Sequence, residues 1–252
     1  MKIHFVSSCS EKSRSAYKQM TELYGQADVS EADCIVVLSG DGMVLRAFHE
    51  NYKQGIPIYG ANRGKIGFLT NPYSVENLEE RIENAVPLKI HPLWVKIETR
   101  NGEIFETIAI NELYLLRQTH QTAKIKIVID GVERMKEMVS DGIIAATATG
   151  SSAYNYSANG PIIPPGTKLL ALTPISSFRP RGWRGALLES SSVIEFDIID
   201  AQKRPVCAVA DYVEFRDASK VTVSEAKDIT LTLLFDKDNL FKEKIIQEQF
   251  TA

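Results

Sequence analysis

Apolar runs and amphipathic stretches alternate along roughly the first 90 residues. Residues 3–7 make a short apolar run, and Glu11–Tyr24 reads as a helix. Ile35-Val36-Val37-Leu38 is continuous and rich in β-branched residues, as a buried parallel strand requires. Gly40-Asp41-Gly42 interrupts it, and residues 43–49 read as a helix. Ile56-Pro57-Ile58-Tyr59 predicts another strand, running into a glycine-rich stretch over residues 60–67. Val75, Leu78, Ile82 and Ala85 fall on one helical face, with Ser74 as the expected N-cap. Strands separated by helices predict βαβ units and a parallel sheet.

After Pro92 the period changes to two. Residues 94–98 and 104–108 flank Asn101-Gly102, a hairpin signal, and Asp130-Gly131 is a second one after the alternation Ile125, Ile127, Ile129. Ile194, Phe196 and Ile198 alternate with polar residues, as do Ile229, Leu231 and Leu233. Residues 235–250 read as an amphipathic helix. This pattern predicts an α/β domain over residues 1–90, a mostly β domain over residues 91–235, and a C-terminal helix over residues 236–252 that returns to the first domain.

The composition is that of an ordinary globular chain: 252 residues, 44% hydrophobic and 24% charged. With 29 basic and 32 acidic residues, the net charge of −3 argues against binding nucleic acid through bulk positive charge. Cys9, Cys34 and Cys207 are too scattered for a disulfide framework or a zinc motif, which points to reduced thiols and a cytoplasmic location. The N-terminal apolar run is too short for a signal peptide, and no run approaches the ~20 apolar residues of a membrane span.

Four segments carry candidate chemistry. In Leu38-Ser39-Gly40-Asp41-Gly42-Met43, a buried strand ends at an acid between two glycines and a helix follows. Ligands of open α/β sheets sit at the carboxyl ends of strands, and a helix N-terminus favours anions. Asp41 either serves such a ligand or merely caps the helix. The run Gly60-Ala61-Asn62-Arg63-Gly64-Lys65-Ile66-Gly67-Phe68-Leu69 either cradles a polyanion or is a tight connection with solvated charges. It is neither a Rossmann fingerprint nor a Walker A sequence. Asn111-Glu112 places an amide beside a carboxylate, a pair able to read nucleoside hydroxyls and amino groups. Residues 140–157 lead from an apolar strand into small residues, hydroxyls and two tyrosines, as a nucleotide pocket wall or a corner turn would. The four histidines have no metal or triad spacing.

In their order along the chain, these segments resemble the NAD kinase family. Ser39 to Met43, Gly60 to Leu69, Asn111-Glu112 and Ser140 to Tyr154 match its motifs, and the match continues through Pro161, Thr173-Pro174-Ile175 and Arg179-Pro180. Ser39 and Met43 depart from the family's Gly and Thr, Ala148 stands for Pro, Ser152 for Thr, and Asp211-Tyr212 for Asp-Gly. The departures resemble those of a proteobacterial branch of the family.

The resemblance implies a Rossmann-like or phosphofructokinase-like α/β domain and a β-sandwich-like second domain. It implies transfer of the γ-phosphoryl of ATP to the 2′-hydroxyl of the adenosine ribose of NAD, giving NADP, with Mg or Mn accompanying ATP. Asp41 matches the proton acceptor. Gly40, Gly42, Arg46, Asn62 and Phe68 then fall to the phosphates and their loop. Asn111 and Glu112 hold the adenine or ribose of NAD, and Asp141 reads the nicotinamide end. Thr149, Ser152, Ala153, Tyr154, Asn155, Tyr156 and Ser157 line the adenosine pocket. Arg46 either reaches a pyrophosphate or sits in a surface ion pair. A homodimer or homotetramer is implied, as is feedback by the product NADP. Two other readings share some of these features: a lipid kinase of the diacylglycerol or sphingosine type, and a non-catalytic dinucleotide sensor. The first has no basic amphipathic helix here with which to meet a membrane.

Overall fold

A computed structural model describes residues 1–65 and 67–250; Ile66, within the glycine-rich run, and the final two residues lie outside the described residues. The chain divides into two units, residues 1–90 with 229–252, and residues 91–228.

The first unit is built on a six-stranded sheet. Ile3–Ser7, Cys34–Ser39, Ile58–Asn62 and Leu231–Phe235 run parallel in that order, and Val86–Ile90 closes the row antiparallel. Asn71–Pro72 adds a two-residue strand beside Ala61 and Asn62. Every residue of Cys34–Ser39 is buried, which is why that segment reads as an unbroken apolar run. Glu11–Tyr24 begins at Ser10, whose hydroxyl accepts the Ser13 N–H, and ends at Gly25 with φ 78°. Its Ala16 and Met20 join Phe5, Val36, Leu38, Tyr59, Leu78 and Ile82 in one core.

Three expectations are corrected in this unit. Leu231–Phe235 belongs to this sheet rather than to the β unit, because it inserts between Ile58–Asn62 and Val86–Ile90. The last helix is Phe241–Phe250, so Phe235 ends a strand instead of starting the helix. The helix after Ser74 spans only Leu78–Glu83, entered from Asn77 at φ 55°; Ser74 instead accepts the Glu76 N–H in a turn. Val75 and Ala85 still pack on the core, which is why their spacing looked helical.

Buried Asn71 ties the unit together. Its amide donates to the carbonyls of Gly60 and Leu234, and its Oδ1 accepts the Asp236 N–H. Asp236 in turn takes the Tyr59 hydroxyl at 2.8 Å and the Arg81 guanidinium at 2.6 Å.

The second unit is one eleven-stranded sheet. Its path begins Val132–Ser140, Ala123–Ile129, Ile194–Ile198, Val213–Glu225, Val206–Ala210. It continues through Glu112–Arg117, Gly142–Ala146, Leu169–Ile175 and Ala186–Glu189. Leu93–Thr99 pairs with Val213–Glu225 and carries Ile104–Ala109. Alternate residues from nearly all of these strands, among them Ile97, Leu115, Ile127, Ile143, Phe196 and Val221, fill a single core. The sheet therefore curls over its own apolar face, and one continuous sheet gives the sandwich-like layering. Asp130 and Gly131 both take positive φ, 53° and 74°, the backbone that a two-residue hairpin turn demands.

Candidate active site

In the first unit the chemistry gathers where Cys34–Ser39 ends. The helix Asp41–Asn51 starts at Asp41 itself, after Gly40 with extended backbone. The Asp41 carboxylate accepts the Phe68 N–H at 2.8 Å and the Leu69 N–H at 3.0 Å. It does not cap its own helix; it binds a loop. Burial raises its pKa, while those two hydrogen bonds and the Lys244 ammonium pull it down, and burial prevails.

The glycines around it divide by role. A Cβ on Gly60 would stand 2.8 Å from the Leu69 carbonyl, and one on Gly67 2.0 Å from the Thr70 hydroxyl. These two let the 67–70 segment fold tightly against the strand. A Cβ on Gly40 or Gly42 would meet nothing within 4 Å. The protein itself leaves that room beside the carboxylate. Of the two readings open for the glycine-rich run, the contacts of residues 67–70 are those of a tight connection. The N–H groups of Phe68 and Leu69 point to Asp41, and Arg63 lies 4.1 Å from the centre of the Tyr73 ring. Asn62 serves the loop, its Oδ1 accepting the Gly64 N–H at 2.7 Å. Arg46 pairs with Glu50 at 2.8 Å on the exposed helix face.

Sequence reasoning missed Lys244. From the last helix its ammonium donates to the carbonyls of Gly67 (2.9 Å), Phe68 (3.4 Å) and Thr70. A lysine on an amphipathic helix carries no signal that it will turn inward.

In the second unit, the Asp211 carboxylate receives three successive backbone N–H groups: Ile110 at 2.7 Å, Asn111 at 2.8 Å and Glu112 at 3.3 Å. Thr147 closes the other side. Its hydroxyl donates to the Ile110 carbonyl, its N–H donates to the Asn111 carbonyl, and the Gly150 N–H returns to its oxygen. A Cβ on Gly150 would lie 2.1 Å from the Asn111 carbonyl oxygen, so only glycine fits there. This turn holds two buried acceptors with no partner, Asn111 Oδ1 and Glu112 Oε2. Burial, then the nearby Asp211 charge, pushes the Glu112 carboxyl up to about 8.

Tyr154 packs edge-on against Tyr114 with ring centres 5.0 Å apart. Burial raises its hydroxyl pKa, and the charges of Asp141 and Glu112 raise it further, so the three groups share one locale. Thr149 is buried, and Ser152 and Ala153 are half-buried. Asp141 already pairs with Arg117 at 2.5 Å. Asn155 already has partners within the unit. It is fully buried, its amide donates to Ser151 and Pro161, and its Oδ1 accepts the Thr173 hydroxyl at 2.7 Å. Tyr156 and Ser157 are exposed.

Among the described residues no three His, Cys, Asp or Glu side chains are grouped to hold a metal ion. A divalent cation held mainly by substrate phosphates needs no such group. No helix among the described residues is long and apolar enough to cross a membrane.

Family models described as the ATP-NAD kinase N-terminal and C-terminal domains match residues 2–88 and 110–232. An NAD kinase of Brucella suis is 48% identical over 248 residues, covering 98% of this chain and 96% of its own. One of Caulobacter vibrioides is 49% identical over 247 residues, covering 97% and 95%. Among solved structures, yeast NADH kinase complexed with NADH matches with a TM-score of 0.85 at 20% identity, over 100% of this chain and 88% of its own. An NAD kinase from Archaeoglobus fulgidus in complex with ATP gives 0.79 at 22% identity, over 98% of each. At those identities the structural likeness is one of fold. The family models cover most of the chain and the curated relatives match it nearly end to end: the chain belongs to the NAD kinase family.

Proposed function

We propose that the chain transfers the γ-phosphoryl of ATP to the 2′-hydroxyl of the adenosine ribose of NAD, giving NADP. The observation that carries this reading is the pair of orphaned buried acceptors, Asn111 Oδ1 and Glu112 Oε2. An unpaired buried acceptor is costly, about 1–3 kcal/mol. A ligand presenting hydroxyl or amino donors removes that cost, and the adenosine end of NAD carries both. Tyr154, Thr149, Ser152 and Ala153 supply the surrounding wall, and Asp141 serves the nicotinamide end with the oxygen that Arg117 leaves.

Phosphoryl transfer asks for alignment, charge neutralisation and an orienting base. Asp41 takes the last role. A carboxylate with an ordinary pKa near 3.9 is a weak base for an alcohol. Burial raises that of Asp41, which strengthens it as an acceptor. It aligns the 2′-hydroxyl and receives its proton as the new P–O bond forms. Gly40 and Gly42 leave space for the phosphates, and the helix N-terminus directs N–H groups at them. The divalent cation, Mg or Mn, arrives as part of the metal–ATP substrate.

Free Cys9, Cys34 and Cys207 fit a reducing cytoplasm. A homodimer or homotetramer is part of the proposal. Ala186–Glu189 ends the large sheet, and its Leu187 is 51% exposed, which suits an edge met by a second copy. NADP, sharing the NAD pocket, then acts as a feedback ligand. The test is incubation with NAD and metal–ATP, reading NADP with an NADP-specific dehydrogenase. NADP formation is the expected result. NAD binding without turnover would favour the sensor, and phosphorylated lipid without NADP the lipid kinase.

A further inference from the structure

The segment from Gly67 to Leu69 lies between two opposite charges. The Gly67 carbonyl and the Phe68 N–H belong to one peptide group, and the Phe68 carbonyl and the Leu69 N–H to the next. Both N–H groups point to the Asp41 carboxylate, and both carbonyls receive the Lys244 ammonium. Each peptide carries a dipole of about 3.5 D. Both dipoles are thus aligned from the ammonium toward the carboxylate. A third carbonyl, Thr70, completes the ammonium's three donors.

We propose that Lys244 is a positioning residue for phosphoryl transfer, acting on Asp41 through the two peptide groups that join Gly67 to Leu69. This rests on the reading of Asp41 given above. A neutral amide, with two N–H groups, could still staple the last helix to the loop, and burying an ammonium costs several kcal/mol that a neutral donor avoids. What the charge adds is polarisation of the two N–H groups that hold the base. The other groups facing the ammonium are Asp236, whose charge also favours it, and the Phe235 ring, centred 5.3 Å away. Burial nonetheless brings Lys244 down to about 8. Its charge is therefore lost at mildly alkaline pH.

The experiment compares pH profiles of kcat for the unchanged chain, Lys244→Met and Lys244→Arg, with KM for NAD and the melting temperature of each. Without the facing cation the Asp41 carboxylate is harder to ionise. Lys244→Met should move the acid limb of kcat up by about one unit, so that its loss, about tenfold, is read on the acid side of the profile. KM for NAD should stay within about twofold. Lys244→Arg should keep the acid limb of the unchanged chain, since arginine carries the same charge. An unmoved acid limb in a folded Lys244→Met enzyme would overturn the proposal and leave a staple. If that variant does not fold, Lys244→Gln takes its place: an acid limb moved up supports the role, and an unmoved one contradicts it. An unchanged chain that makes no NADP overturns the functional reading, and the proposal with it. Turnover with unmoved limbs overturns the proposal alone.

Discussion

Glu112 and Asp211 hold each other reciprocally through backbone and side chain. The Asp211 carboxylate accepts the Glu112 N–H at 3.3 Å, and the Asp211 N–H donates to the Glu112 carbonyl at 3.0 Å. The contact brings a second negative charge close to a buried carboxyl, which adds to the effect of burial in keeping Glu112 protonated.

One consequence is a proton released on binding. With its carboxyl at about 8, Glu112 is mostly protonated at pH 7. Hydroxyl donors from a ribose favour the carboxylate and lower that value. Titration calorimetry of NAD binding in buffers of different ionisation enthalpy should show release approaching one proton at pH 7. Glu112→Gln should release none and bind NAD more weakly. Equal proton counts for the two proteins would detach Glu112 from the ligand.

A second consequence concerns stability without ligand. The folded value of about 8 lies above the ordinary 4.5, so between these the native state binds the extra proton. Stability from this group is complete below about pH 4.5 and is lost as pH rises toward 8. At about 1.4 kcal/mol per unit the loss reaches a few kcal/mol, or several degrees in Tm. Melting curves of the ligand-free chain should therefore fall between pH 5 and 8, and Glu112→Gln should flatten them. A parallel fall in the variant would assign the slope to other groups.

Gly150→Ala tests the turn rather than the charge. Its Cβ would press on the Asn111 carbonyl from 2.1 Å, and the opposing atoms are backbone. The cost should be about 1–3 kcal/mol or more. NAD affinity should fall with it, because Asn111 and Glu112 are displaced together. Thermal melts and NAD titration check this; unchanged affinity would show that the turn does not shape the pocket.

Patterning alone makes much of the fold readable. Ile194, Phe196 and Ile198 point inward as their alternation requires, and the run around Val36 is buried on both faces. Leu231–Phe235 escaped correct placement because a period of two identifies a strand without naming its sheet. The pairing of Leu234 with Tyr59 spans most of the chain. The site was legible unevenly. Asp41 stood out between its glycines. Asn111-Glu112 had meaning only through order and resemblance, since its burial depends on Asp211 and Gly150, both distant in sequence. For Asn155 the sequence does not separate a buried staple from a ligand contact, because both use the same amide. Lys244 was invisible because only tertiary packing turns it inward.

If the Asp41 carboxylate orients and deprotonates the acceptor hydroxyl, Asp41→Asn removes the base and leaves the fold. Turnover of NAD with metal–ATP should be measured for this variant beside the unchanged chain, with melting curves confirming that both are folded. A loss of roughly 10²–10⁴ in kcat is expected, with NAD still bound. Near-normal turnover by folded Asp41→Asn would contradict it.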